Sequence, residues 1–352
     1  MNEKRRSKII VTACGGCATN IVDKALKYVN QDDGFAELEF HFFDTSRSNY
    51  NNIEQVGDFF QVQRKATSTL VGGSINGSGG DKTTHARDIL LNVPDYLAQI
   101  KTTKKETGVY HLLVSSAGGG TGALSLIAIA DELMAKDIPV ICVLVGDNSS
   151  ALRSRNTQTT LASLSAKAVA RKKCLLVYYI NNSYMGSGIT ANEALANERI
   201  RNGISILSAF LSGQNEAIDE TDMEMFIDQS KFKTINIVPG IYTVSFHNKK
   251  DLNLEQGVPT IARTLTVEGV DVDFDMQVFD YKVGKIVEEA AIKSFGEMLP
   301  VHIVASNGIL KGEIEKLTEI NANASELQKN MVNYNIQGPE DVKVDDDLGI
   351  MF

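Results

Sequence analysis

Through the first half of the chain, short and continuously apolar runs alternate with stretches whose apolar residues recur every three or four positions. The runs Lys8 to Ala13, Leu38 to Asp44, Tyr110 to Ser116, Ile138 to Val145 and Cys174 to Asn181 have the length of buried strands. Between them, Asn20 to Val29, Thr84 to Ile100, Gly122 to Ala135 and Thr157 to Ala170 carry helical spacing. Apolar strands alternating with helices predict an α/β fold whose parallel sheet is covered by helices on both faces. In such a sheet a ligand sits beyond the carboxyl ends of the strands.

After Asn182 the rhythm changes. Ile189 to Leu211 reads as one long helix whose apolar positions, among them Leu195, Ile200, Ile204, Leu207 and Phe210, nearly circle it. Such a helix is buried between two bodies. Beyond it the pattern predicts a helix at Asp222 to Gln229, a strand at Thr234 to His247 and a helix around Leu252 to Leu265. A strand at Val272 to Val283, a helix at Ile286 to Met298, a strand at Val301 to Ser306 and a helix at Ile309 to Asn330 follow. The expected organisation is a ligand-binding domain over 1–187, a connecting helix over 188–212, a smaller α/β domain over 213–330 and an acidic tail over 331–352. Asn335 to Phe352 hold five acids against Lys343 and close on LGIMF, an apolar patch that a purely solvating tail does not need. Both a frayed end and a tail that docks on a basic surface, through Asp345, Asp346 and Asp347, fit this composition.

Composition narrows the class. The 352 residues carry 35 Lys and Arg against 44 Asp and Glu, a net charge of −9, with 43% hydrophobic residues. That is a globular composition, and it lacks the positive stripe that direct nucleic-acid binding requires. The longest apolar run, Pro139 to Gly146, is far short of the ~20 residues that span a bilayer, so a cytoplasmic protein with no membrane partner is expected. Four cysteines are too few for a disulfide scaffold. Cys14-x-x-Cys17 has no second Cys/His pair at ligand spacing, so it reads as loop lining and no metal site of the protein's own is expected.

Three glycine-rich loops follow apolar runs or precede helices. They are Cys14-Gly15-Gly16-Cys17-Ala18-Thr19-Asn20, Gly77-Ser78-Gly79-Gly80-Asp81-Lys82 and Ser115 to Gly122, which contains Gly118-Gly119-Gly120-Thr121-Gly122. Small residues let the backbone approach a ligand, and the following helix N-terminus offers free N–H groups to an anion. Gly118-x-Gly120-x-x-Ala123 fits a dinucleotide fingerprint, yet it follows an interior strand, and no G-x-x-x-x-G-K-[ST] loop occurs. A nicotinamide oxidoreductase would leave two of the three loops idle.

GGGTG after an apolar strand resembles the signature loop of the tubulin/FtsZ superfamily, and the other loops fall in that family's order. The resemblance implies a nucleotide site built from Gly15, Gly16, Cys17 and Asn20 in the first loop and Asp44 and Thr45 in the second. It adds Gly79 and Gly80 in the third loop, Gly118 to Gly122 in the fourth, Arg153, and Asn182 and Asn192 against the guanine base. Asn192-Glu193-Ala194-Leu195 matches the tubulin NEAL segment, and a carboxamide suits guanine because it both donates and accepts. Asp219-x-x-Asp222 resembles the family's catalytic loop, which acts on the nucleotide of the next subunit; taken alone, two acids so spaced are commonly helix caps. FFDTSRSN, IDETD and the short acidic tail are most similar to the tubulins of large bacteriophages.

The implied protein is a GTPase using GTP/GDP with Mg²⁺ carried on the phosphates. It would self-associate into dynamic filaments and position viral DNA in the host bacterial cytoplasm. A GTP-binding polymer with little or no hydrolysis is the alternative. Two departures bear on mechanism. Asp81 replaces an asparagine and places a carboxylate where a γ-phosphate would be, unless Lys82 or Mg²⁺ offsets it. Ala217 stands where bacterial FtsZ has an asparagine.

Overall fold

A computed structural model describes residues 6–54, 57–66, 69–75, 77–182, 189–248, 257–336, 344–345 and 350–351. Side chains are described throughout these spans except at 66, 69–74, 189–190, 309 and from 327 onward. The first half alternates as the pattern predicts, with three short strands that it does not: β1 (Lys8–Cys14), α1 (Gly15–Lys24), β2 (Glu37–Asp44), the unexpected β3 (Asp58–Gln61), β4 (Gln63–Ala66) and β5 (Thr69–Ser74), and α2 (Ala86–Gln99). These lead to β6 (Val109–Ser116), α3 (Thr121–Ala135), β7 (Val140–Gly146), α4 (Ala151–Arg171), β8 (Cys174–Asn181) and the long α5 (Ile189–Phe210). The second half comprises α6 (Glu220–Ile227), β9 (Gly240–Asn248), β10 (Val258–Thr266), β11 (Asp280–Lys285), α7 (Glu289–Phe295), β12 (Val301–Asn307) and α8 (Ile309–Ile336). Two short strands, β13 (Val344–Asp345) and β14 (Ile350–Met351), pair with each other near the C-terminus.

Ten strands form one sheet in the order β11-β10-β12-β9-β8-β7-β6-β1-β2-β3. From β3 to β9 every neighbour is parallel, and only β12 runs antiparallel to both its neighbours. The strands of the second half therefore continue the first sheet through the β8–β9 pair. Helices cover both faces, as expected. Ala18 and Val22 of α1, Ile204 and Phe210 of α5 and Phe226 of α6 pack on one face. Ile89 of α2, Leu126 of α3, Leu164 of α4 and Leu317 of α8 pack on the other. Ile200, Ile204, Leu207 and Phe210 of α5 are at most 1% exposed, and each such side chain contributes about 1.5–3 kcal/mol on burial. Leu195, at 39%, lies outside that stripe.

Several expected elements are corrected. The helix expected around Leu252 to Leu265 is strand β10 from Val258 on. Its Thr260, Thr264 and Thr266 are β-branched and buried among neighbouring strands, and the 3.6-like spacing of Ile261, Ala262 and Leu265 is incidental. The strand expected at Thr234 begins only after Pro239, and that expected at Val272 joins a ladder only from Asp280. Between 271 and 278 alternate residues are exposed, as in a strand, but no ladder forms. Helix α1 starts at Gly15 and α4 at Ala151, each about a turn or more earlier than the apolar spacing suggests.

Candidate nucleotide site

The first, third and fourth glycine loops meet at the carboxyl ends of β1 and β6. Gly15 has φ +78°, and a Cβ on it would lie 2.8 Å from Gly122 Cα. A Cβ on Gly122 would in turn come within 2.3 Å of the Cys14 carbonyl oxygen. Backbone therefore packs on backbone, and the start of α1 is held beside the start of α3. Neither helix is capped by the side chain of its own N-cap residue, Cys14 or Gly120, so apart from Thr121 N both N-termini offer N–H groups to one small volume. The third loop lies over the fourth: a Cβ on Gly120 would meet Ser78 Oγ at 2.3 Å, and Ser78 Oγ accepts from Thr121 N at 3.1 Å. Asn156 of α4 joins the two, donating to the carbonyls of Gly80 at 2.9 Å and Gly118 at 3.1 Å. Gly79, by contrast, faces open space, and Gly119 has only loose neighbours.

The second loop is fixed at the end of β2. Asp44 is buried and accepts from Thr45 N at 2.7 Å. Burial pushes its carboxyl above the ordinary range, against the hydrogen bonds from Thr45 and Ser46. Asn49, further along this loop, reaches the first: its Nδ2 occupies the place of a Cβ on Gly16. Cys14 is buried, while Cys17 is exposed at the start of α1. Asn20 is exposed one turn on.

Arg153 ion-pairs with Asp147 at 2.6 Å at the rim, beside Gly118. Burial would raise the Asp147 carboxyl, but Ser149 and Arg153 hold it below its usual range. Asp81 does not meet Lys82. Its carboxylate accepts from Thr83 N at 2.7 Å and Thr83 Oγ1 at 2.8 Å, and those bonds hold its pKa down. Lys82 turns to α4, donating to the Asn156 carbonyl at 2.5 Å and to Thr159 and Thr160 hydroxyls at 2.8 and 2.5 Å. Burial lowers the Lys82 pKa to about 8.

The residues present suit a purine nucleotide. Asn182 Oδ1 and Asn192 Oδ1 are both buried with no hydrogen-bond partner in the chain. A buried acceptor left unpaired costs about 1–3 kcal/mol, and a donor from a ligand would satisfy Asn182, just past β8, and Asn192 on α5. Guanine N1–H and N2–H₂ are such donors. For a metal ion, no group of three His, Cys, Asp or Glu side chains is assembled among the described residues.

Asp219 and Asp222 lie elsewhere. Residue 219 caps α6: its Oδ1 accepts from Asp222 N at 2.9 Å, and Asp222 Oδ2 accepts from Asp219 N at 3.2 Å. Asp222 Oδ1 also meets Lys282 Nζ at 2.5 Å. The loop before α6 is tied under the amino ends of the central strands. Ser7 N donates to Ser212 O at 3.1 Å, and Gly108 N to Glu220 Oε1 at 2.8 Å. Lys8, the first residue of β1, and both acids line one cleft of about 900 Å³. The glycine loops begin at the other end of β1, a seven-residue strand, so roughly 20 Å separates acids from loops within one chain. Of the tail acids, Asp345 lies in β13, while Asp346 and Asp347 fall outside the described residues.

Sequence reasoning located the loops but missed Asn49 and Asn156 as their supports, and Lys282 as the partner of Asp222. Asn156 stands one turn after Arg153 and could have been found that way; Lys282 left no signal.

The fold is that of tubulin and FtsZ, with the glycine loops at the carboxyl ends of the strands and the acidic loop at their amino ends. Among solved structures, the chain is similar to the phage tubulin PhuZ bound to GDP, at 20% identity and TM-score 0.74, over 98% of this chain and 99% of that one. It is similar to the PhuZ201 filament at 17% identity and TM-score 0.72, with the same coverage. A point mutant of FtsZ from M. jannaschii matches at 14% identity and TM-score 0.60, over 86% of this chain and 91% of that one. No family model and no curated protein sequence matches the chain.

Proposed function

We propose that this protein is a GTPase that assembles head to tail into filaments and hydrolyses GTP at the junction between subunits. The observation that carries the reading is the placing of the glycine loops and of Asp219 and Asp222 at opposite ends of the same strands. A single chain cannot bring the two together. A heterologous stack can, because each acidic edge then faces the next nucleotide edge. In that junction Gly118 to Gly122 and the α1 N-terminus hold the phosphates, and Asn182 and Asn192 read guanine. Asp219 and Asp222 of the neighbour orient and deprotonate the attacking water. Mg²⁺ would arrive on the phosphates and supply charge neutralisation there.

Phosphate release from GTP, followed across protein concentration together with light scattering, tests this. Both signals should rise above one shared threshold, and Asp219→Ala/Asp222→Ala should keep scattering while losing release. Release strictly proportional to protein, with no scattering, would rule the junction site out. The second reading, a GTP-binding polymer that hardly hydrolyses, is favoured by the capping box and the ion pair that already engage both acids. Release unchanged in the double variant would support it.

The tail is proposed as a polymer contact through Asp345, Asp346 and Asp347. A chain ending at residue 337 should then need more protein to reach the threshold. The positioning of viral DNA in a bacterial host rests on the resemblance to phage tubulins alone. Imaging labelled protein with stained DNA in infected cells tests it, and filaments with no spatial relation to the DNA would refute it.

A further inference from the structure

Asp222 is one of two carboxylates that the proposed junction turns toward the phosphates of the next subunit. Two acids approaching a triphosphate repel it unless a cation stands beside them. Among the described residues, Lys282 on β11 is the cation that forms an ion pair with this acidic pair, Nζ to Asp222 Oδ1 at 2.5 Å. The Asp222 side chain is 10% exposed and that of Lys282 42%, so the lysine stands at the cleft wall with its acid partner behind it.

The placement is held by backbone. Glu216 of the acidic loop and Lys285 of β11 exchange hydrogen bonds in both directions, Glu216 N to Lys285 O at 3.0 Å and Lys285 N to Glu216 O at 3.2 Å. Between them Gly284 lies so close that a Cβ on it would meet Ile218 Cδ1 at 2.6 Å. At the other end Asn215 Nδ2 donates to the carbonyls of Ala209 at 3.0 Å and Phe210 at 2.9 Å, fixing the loop to the end of α5. The loop is thus clamped between α5 and β11, and Lys282 is delivered to Asp222 in a fixed register. The two Asp222 oxygens have different partners: Oδ2 accepts from Asp219 N, and Oδ1 is the one that Lys282 holds.

We propose that Lys282 is a positioning residue for hydrolysis: it fixes the orientation of the Asp222 carboxylate and balances its charge as the phosphates of the next subunit dock. This rests on the reading of Asp219 and Asp222 as acting on the neighbour's nucleotide. No bond to Lys282 is made or broken in this role.

The test compares full-length wild type, Lys282→Met, Lys282→Arg and Asp222→Asn. The readouts are phosphate release per assembled subunit, the threshold for scattering, fluorescent GDP binding and melting temperature. Lys282→Met should release phosphate roughly ten- to a hundredfold more slowly per assembled subunit, the size of effect expected of a misplaced reacting group. GDP binding should be unchanged, since the subunit's own loops are intact. Lys282→Arg should restore most of the rate, because a guanidinium also pairs with a carboxylate. A purely structural lysine would lower the melting temperature and raise the threshold without slowing release per assembled subunit. Should Lys282→Met not fold, Lys282→Gln carries the same comparison. Wild-type release by the lysine variant beside slow release by Asp222→Asn overturns the inference and leaves the reading standing. Wild-type release by Asp222→Asn overturns the reading itself.

Discussion

Ala217 has φ +66°, two residues before Asp219, and is exposed. A left-handed backbone costs an ordinary L-residue about 1 kcal/mol, while asparagine tolerates it through local hydrogen bonding. Ala217→Asn should therefore raise the urea midpoint by about 1 kcal/mol of stability at unchanged m-value. Glycine should gain less, because it also loosens the unfolded chain. A lower midpoint for the asparagine variant would mean that the loop's clamps, not the residue, set the conformation. Lys82 makes the second residue-scale case. Its pKa is lowered from 10.5 to about 8, so the fold disfavours the ammonium. That cost is full below about pH 8 and recedes as pH rises toward the ordinary lysine value. A γ-phosphate near the third loop would favour the ammonium again. GTP binding near pH 8.5 should then take up protons, seen as a calorimetric heat that depends on the buffer's ionisation enthalpy. GDP, and GTP with Lys82→Met, should show no such dependence.

At the scale of elements, what the sequence made legible and what it hid have a common physical cause. A strand, a glycine loop and the helix after it form a local unit, and the loop's chemistry depends on backbone N–H groups that neighbouring residues position. Gly15 to Asn20 and Gly118 to Gly122 could therefore be placed without knowing their surroundings, as could Asp44 and Thr45 at the end of β2. The capping box of Asp219 and Asp222 is equally local and was legible as one reading of two. Pairings between distant segments were not. Lys282 lies 60 residues from Asp222, and nothing in the run YKVGK distinguishes it from any edge-strand lysine. The same limit explains β10. Its apolar spacing imitates a helix, and only the neighbours β12 and β11, together with the fully buried Arg263 bonded to Asp280, make it a strand. Segment 271–278 shows the converse, since strand-like alternation without a partner ladder is not enough to make a strand.

At the scale of the whole molecule, the two-ended arrangement makes a prediction that no property of the isolated chain can imitate. If each hydrolytic junction takes its loops from one subunit and its acids from the next, two different defective chains should repair each other. Asn182→Ala weakens the nucleotide edge and leaves the acids intact, while Asp222→Asn removes an acid and leaves the loops intact. In filaments grown from an equal mixture, about a quarter of the junctions pair an intact nucleotide edge with an intact acidic edge, because the stacking is heterologous and random in order. Phosphate release by the mixture, at a GTP concentration that fills the intact site but not the Asn182→Ala site, should therefore exceed the mean of the two variants alone, toward a quarter of the wild-type rate. The gain should vanish below the assembly threshold, where no junctions exist. If each subunit hydrolysed with its own residues, the mixture would give only the average of its parts at every concentration.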